Sequence, residues 1–135
     1  MTNDETKSGQ ITTRSRPRTG YDLEERTALF GESVIRFCKS IPTNDVTGPL
    51  IRQVVRSGTS VGANYCEADD AISGKEFRQK IGTCKKESRE TKHWLRMIAA
   101  AEPNKAEAAR ILWKEAQELL LIFASIFRKL STKKK

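Results

Sequence analysis

The chain has 135 residues, which suffices for one hydrophobic core but not for two, so a multidomain enzyme is excluded. Lysine and arginine total 25 against 17 aspartate and glutamate, a net charge of +8, which indicates either a polyanionic partner or simply a soluble basic surface. No apolar run approaches the ~20 residues of a membrane span, and the polar N-terminus lacks a signal peptide's hydrophobic region. We therefore expect a cytoplasmic protein without a membrane contact.

The N-terminal segment differs from the rest of the chain. Residues 1–20 are rich in Thr, Ser, Arg and Gly, and Ile11 is their only large apolar residue beyond Met1, so we predict a disordered basic tail. Asp22 and Glu25 have the spacing of a capping box and predict the start of a first helix, which Pro42 ends. Its apolar stripe recurs at spacings of three and four residues: Leu23, Thr27, Phe30, Val34, Phe37 and Ile41.

Two further helices follow with almost no separation. Pro49 suits the first turn of a second helix that runs to about Ile72. Ser73 and Glu76 form another capping box, which predicts a third helix continuing to about Ala101. The predicted core side of the second helix comprises Ile51, Val54, Gly58, Val61, Tyr65, Ala68 and Ile72.

A fourth helix completes the predicted domain. It begins at Pro103 and ends near Leu130, and 131–135 form a basic C-terminal tail. No stretch alternates as a strand would, and short connections favour antiparallel neighbours. We predict an all-α domain over residues 21–130, an up-down-up-down antiparallel four-helix bundle.

Polar residues cluster on the opposite side of the second helix. Arg56, Ser60, Asn64 and Glu67 fall within one arc together with Gln53, interleaved with the small residues Ser57, Ala63 and Ala71. Three interpretations stay open: a solvated face, a polar network that holds a neighbouring helix, or a subunit interface where small residues allow close approach.

The third helix separates its charges. Its predicted core stripe is Phe77, Ile81, Cys84, Ser88, Thr91, Leu95 and Ile98. The acids Glu76, Glu87 and Glu90 gather on one flank beside Trp94. The other flank carries the cations Arg78, Lys85, Arg89, Lys92 and Arg96. These five span roughly 27 Å along the helix and are candidate phosphate contacts for RNA or DNA. The alternative is a solvated flank that pairs partly with Glu32 or Glu118.

The fourth helix contains an unusually apolar segment. Residues 119–127 read LLLIFASIF and are apolar on nearly every side. A helix with one solvated face should show a polar stripe throughout, so a partner subunit is expected to cover the second face.

The usual constellations of catalysis and metal binding are missing from the sequence. The chain has an odd number of cysteines, Cys38, Cys66 and Cys84, and none of them form a C-x-x-C motif. We therefore expect reduced thiols. A lone histidine, His93, cannot build a His-rich metal site. No nucleophile–base motif or phosphate-binding glycine loop occurs. We expect no enzymatic activity, no cofactor and no metal.

The stretch 52–96 resembles a known family. Its first half is similar to the signature helix of four-helix bundle proteins from open reading frames inside 23S rRNA intervening sequences, with Ala68 in place of the usual glycine. That half carries Gln53, Arg56, Ser60, Val61, Asn64, Tyr65 and Glu67. The second half resembles accessory variability proteins of diversity-generating retroelements through Ser73, Phe77, Lys80, 85–87 and 94–95.

The resemblance implies an assembly and a role. Relatives of this fold form homopentameric rings or barrels, which predicts a homo-oligomer here, a pentamer. The retroelement proteins are thought to present nucleic acid to a reverse transcriptase. We therefore expect a non-enzymatic RNA- or DNA-binding scaffold or accessory factor, with a reverse transcriptase as a possible protein partner. The alternative is a structural or protein-interaction module whose charge serves only solubility.

Overall fold

The computed structural model describes residues 22–134, so the predicted tail at 1–20 lies outside the described part of the chain. Within these residues four α-helices occur and no strand: α1 (Leu23–Lys39), α2 (Thr47–Asp69), α3 (Gly74–Ala101) and α4 (Ala106–Lys134). A 3₁₀ turn, Pro103–Lys105, joins the last two. The predicted all-helical class is confirmed.

The helix starts follow from local hydrogen bonds. The Asp22 side chain accepts from the backbone N–H of Glu25, and Ser73 Oγ accepts from Glu76 N at 3.1 Å. Both caps satisfy backbone donors that the first turn leaves without partners. The hydrogen bond at the start of α2 was not predicted: Asn44 Oδ1 accepts from the backbone N–H of Thr47 at 2.9 Å.

Consecutive helices pack side by side and antiparallel. Arg56 of α2 reaches Glu90, whereas Glu67, further along α2, reaches Lys80, earlier in α3. Helices α1 and α2 approach closely because Gly58 faces Val34, where an added Cβ would lie 2.9 Å from Val34 Cγ2. Helix α1 packs much less extensively against α4 than it does against α2. The result is four helices around one core, with an open groove along the α1–α4 side.

The predicted core stripes hold in α1 and α3. All six predicted α1 positions are buried, and of the seven in α3 only Phe77 is half-buried. The largest fully buried side chain is Phe123 of α4, and Ile81 and Leu95 of α3 are completely enclosed with it.

Two predictions for α2 were wrong. Ile72 was assigned to the core, but α2 ends at Asp69 and Ile72 is 93% exposed in the turn before α3. Ser57 was placed on the outer arc, but it is fully buried. It faces α3, because α2 has packing partners on two sides and its buried arc is wider than the apolar stripe.

The end of α4 also differs from the prediction. The helix continues past Leu130 to Lys134, since the terminal residues include no glycine or proline that would stop it. Within residues 22–134, no helix combines the length and apolar character required for a membrane crossing.

Candidate nucleic-acid interface

Two carboxylates of the acidic flank of α3, Glu87 and Glu90, face α2 and share one cation there. Arg56 donates to Glu87 Oε1 at 3.3 Å and also to Glu90 Oε2. The Trp94 indole N–H donates to the same Glu90 oxygen at 3.0 Å, and Arg56 Nε donates to Gln53 at 3.0 Å. The arginine of the α2 polar arc therefore joins a charged network within one chain.

The other polar residues of that arc also bond within the chain. Ser60 Oγ donates to the carbonyl of Arg56 at 2.7 Å, and Asn64 Nδ2 donates to the carbonyl of Ser60 at 2.9 Å. The Glu67 carboxylate lies 2.6 Å from Lys80 Nζ, and this hydrogen bond raises the pKa of Lys80. The arc thus divides: Arg56 and Glu67 reach α3, while the Ser60 hydroxyl and the Asn64 amide bond to their own helix.

A buried hydroxyl pair lies beneath the charged network. Thr91 Oγ1 is 2.9 Å from Ser57 Oγ and also donates to the Glu87 carbonyl at 2.7 Å. Both side chains are fully buried. Because a buried hydroxyl without a partner is costly, this pair favours one register between α2 and α3.

The basic flank of α3 lies on the opposite side, against α4. The Arg78 guanidinium is 3.8 Å from the ring centroid of Phe127, and Lys85 Nζ is 5.0 Å from it. Gly82 leaves room for this ring, since an added Cβ would lie 3.0 Å from Phe127 Cε1. Both cations are half-buried on an aromatic face, which attracts but does not neutralise them.

The same arrangement recurs nearer the C-terminal end of α3. Lys92 Nζ lies 4.6 Å from the Trp113 ring centroid and hydrogen-bonds to Gln117 Oε1. Arg89 and Arg96 are exposed. Three of the five predicted cations, Arg78, Lys85 and Lys92, therefore contact α4.

Helix α4 adds a cation, Arg110, that was not assigned to this surface from the sequence. Arg110 is exposed and lies beside Arg96 and Trp113. Its spacing of three residues from Trp113 could have indicated that both lie on one side of α4. We call the surface formed by Arg78, Lys85, Arg89, Lys92, Arg96 and Arg110 the basic seam.

The carboxylates of α4 nearest the middle of the helix bond elsewhere. Glu115 Oε2 lies 2.8 Å from Arg26 Nε of α1, and Glu118 Oε1 lies 3.8 Å from Arg26 Nη2. Among the side chains that the structure describes, none forms an ion pair with Lys85, Arg89, Arg96 or Arg110. These four cations of the basic seam are therefore not compensated by a described carboxylate.

The chain itself covers part of the apolar segment 119–127. Leu119 and Phe123 are buried, and Phe127 lies beneath the cations of α3. What stays open is a groove of 460 Å³ beside α1, where Leu121 is 56% exposed. The partner subunit expected from the sequence therefore needs to cover only this groove.

The thiols are placed for packing. Burial raises the pKa of Cys38 to about 11 and that of Cys84 to about 12, so both stay protonated near neutral pH. Cys66 is exposed, and its pKa is raised by desolvation and by nearby carboxylates. In the part of the chain that the structure describes, no three His, Cys, Asp or Glu residues converge as a metal site would require.

Comparison with known proteins identifies a family for this chain and solved structures that are similar to it. A sequence model of the 23S rRNA-intervening sequence protein family matches residues 22–125. A crystal structure of a protein of unknown function from the S23 ribosomal protein family of Bacteroides thetaiotaomicron is 27% identical, with a TM-score of 0.68. That alignment covers 78% of this chain and 97% of the relative. No curated protein matches the chain.

Proposed function

The chain belongs to the family of 23S rRNA-intervening sequence proteins, and from this premise we propose that it is a non-enzymatic, homo-oligomeric scaffold that binds RNA or DNA through the basic seam. The observation that carries the proposal is that the two flanks of α3 differ in the contacts that their charged side chains make. The acidic flank is paired with Arg56, whereas the basic flank rests on Phe127 and Trp113. Lys85, Arg89 and Arg96 form no ion pair with any side chain that the structure describes, and such cations along a helix are suited to a phosphate backbone and bind it by counterion release.

The binding test uses labelled RNA and DNA, with fluorescence anisotropy measured over a salt series. Reversal of two seam cations, Lys85→Glu with Arg89→Glu, should weaken binding and lower the salt slope by roughly 1.8, since each lost phosphate contact contributes about 0.9. Both residues lie off the buried stripe of α3, so the variant should fold.

The matched control is Arg36→Glu with Arg52→Glu. Both arginines are exposed and belong to α1 and α2. Each double variant lowers the net charge by four, from +8 to +4. Equal loss of affinity in both variants, or no binding at low salt, would support the protein-interaction alternative, in which a reverse transcriptase is one possible partner.

We further propose that the chain assembles beyond a dimer, as a pentamer, and that the groove beside α1 is part of the interface. Leu23, Ile122 and Ile126 line this groove together with the exposed Leu121. Repetition of the basic seam around a ring would raise a modest affinity per subunit through multivalency.

Light scattering on the full chain tests the assembly. Leu121→Glu should reduce the measured mass, whereas Ile111→Glu should not, because Ile111 is of the same size and 65% exposed but lies outside the groove. A monomer at micromolar concentration would disprove the assembly while leaving the binding proposal to its own test.

A further inference from the structure

A small hollow lies at the end of the basic seam, between α3 and α4 near the 3₁₀ turn that joins them. Its volume is 180 Å³. Ala99, Ala106 and Ala109 contribute to its walls, and their short side chains leave the space between the two helices unfilled. Leu95, which is fully buried, lies at its apolar base.

The remaining lining residues are aromatic and cationic. Trp113 forms one wall and is half-buried, while Arg96 and Arg110 stand at the exposed rim. Lys92 Nζ, 4.6 Å from the indole centroid, adds a third cation to the same cluster. Neither rim arginine has a carboxylate partner among the side chains that the structure describes.

The size of the hollow restricts what it can hold. Pockets for drug-sized ligands and cofactors measure about 300–1,000 Å³, so 180 Å³ suits a single small planar group. An aromatic wall beside cations is the combination that binds unpaired bases, since the base stacks on the ring and its phosphates meet the cations. A base inside a duplex cannot offer its face to such a wall.

We infer that this hollow binds one unpaired nucleobase, stacked against Trp113, with the adjoining phosphates on Arg96 and Arg110. The inference rests on the proposed nucleic-acid function and narrows it to single strands or to unpaired loops and ends. The rest of the basic seam contacts phosphates alone and does not distinguish single from double strands.

The test compares one labelled oligonucleotide, single-stranded and annealed to its complement, at the same salt concentration. The wild-type chain should bind the single strand more tightly. Trp113→Leu should lower single-strand affinity about 5- to 150-fold, the equivalent of one stacked base at about 1–3 kcal/mol, and leave duplex affinity unchanged. Trp113→Phe, which keeps an aromatic ring, should retain most of the preference.

A second variant fills the hollow without altering Trp113. Ala106→Leu should also reduce the single-strand preference, whereas Ala108→Leu, an exposed alanine of the same helix turn, should not. If the chain binds both forms equally and neither Trp113→Leu nor Ala106→Leu changes the ratio, this inference is wrong while the proposed function stands. If the wild-type chain binds no nucleic acid at low salt, the proposed function itself is wrong.

Discussion

The contact between α3 and α2 and the contact between α3 and α4 differ in whether their charged side chains form ion pairs. Towards α2, Arg56 bonds to Glu87 and Glu90 above a buried hydroxyl pair. Towards α4, Lys85 lies over Phe127 and no described carboxylate pairs with it. The first contact uses its polar groups to hold two helices in register. The second leaves positive charge on the surface, where it can meet a ligand.

This difference predicts that substitutions at the two contacts will separate stability from binding. Changes at the α2–α3 contact should lower the free energy of unfolding and leave nucleic-acid affinity nearly unchanged. Changes at the α3–α4 contact should do the reverse. A result in which both contacts affect stability equally would remove the distinction.

The largest expected effect on stability is at the buried hydroxyl pair. Thr91→Val removes the partner of the Ser57 hydroxyl and should lower the free energy of unfolding by about 1–3 kcal/mol. Ser57→Ala should cost less, because the Thr91 hydroxyl keeps its bond to the Glu87 carbonyl. The double variant should cost clearly less than the sum of the two. Urea unfolding of all four proteins measures this coupling, and strict additivity would contradict it.

A smaller loss is expected at the charged network above that pair. Arg56→Ala leaves two neighbouring carboxylates without their cation and should cost about 1 kcal/mol, the upper part of the range for accessible ion pairs. The loss should shrink at high salt. Arg52→Ala, at an exposed arginine of the same helix, is the control and should stay within ~0.5 kcal/mol. Equal unfolding midpoints for both variants would show that the network contributes nothing.

The smallest effect on stability is expected at the basic seam. Lys92→Met keeps an unbranched side chain over Trp113 and loses the cation together with its hydrogen bond to Gln117, so the free energy of unfolding should change by at most about 1 kcal/mol. Nucleic-acid affinity should fall, with a salt slope lower by roughly 0.9. Melting and anisotropy on the same sample compare the two. A large loss of stability with unchanged binding would make Lys92 a packing residue.

Periodicity and capping chemistry were sufficient to predict most of the fold. The α1 stripe from Leu23 to Ile41 is buried at every predicted position, and Ser73 caps α3 as expected. Ile72 was misplaced because an apolar residue in phase with a helix looks the same whether or not the helix continues to it. The α2 helix ends three residues earlier, at Asp69.

The candidate site was predicted only in part. The segregation of cations and carboxylates around α3 follows from a rotation of about 100° per residue about the helix axis and was predicted from the sequence. The rings under those cations were not, since Phe127 and Trp113 are 42 and 21 residues away from Lys85 and Lys92 along the chain. Neither Trp113 nor Arg110 was assigned to this surface from the sequence.

The sequence by itself determined four amphipathic helices, their caps and the separation of charge on α3, because each depends on residues within a few turns of one another. Only the tertiary structure decided which neighbour each flank meets. Arg56 of α2 pairs with the acidic flank, Glu115 pairs with Arg26 of α1, and three cations of the other flank lie on the rings of α4. Such pairings arise from helix packing between residues distant in the chain, which no local periodicity specifies.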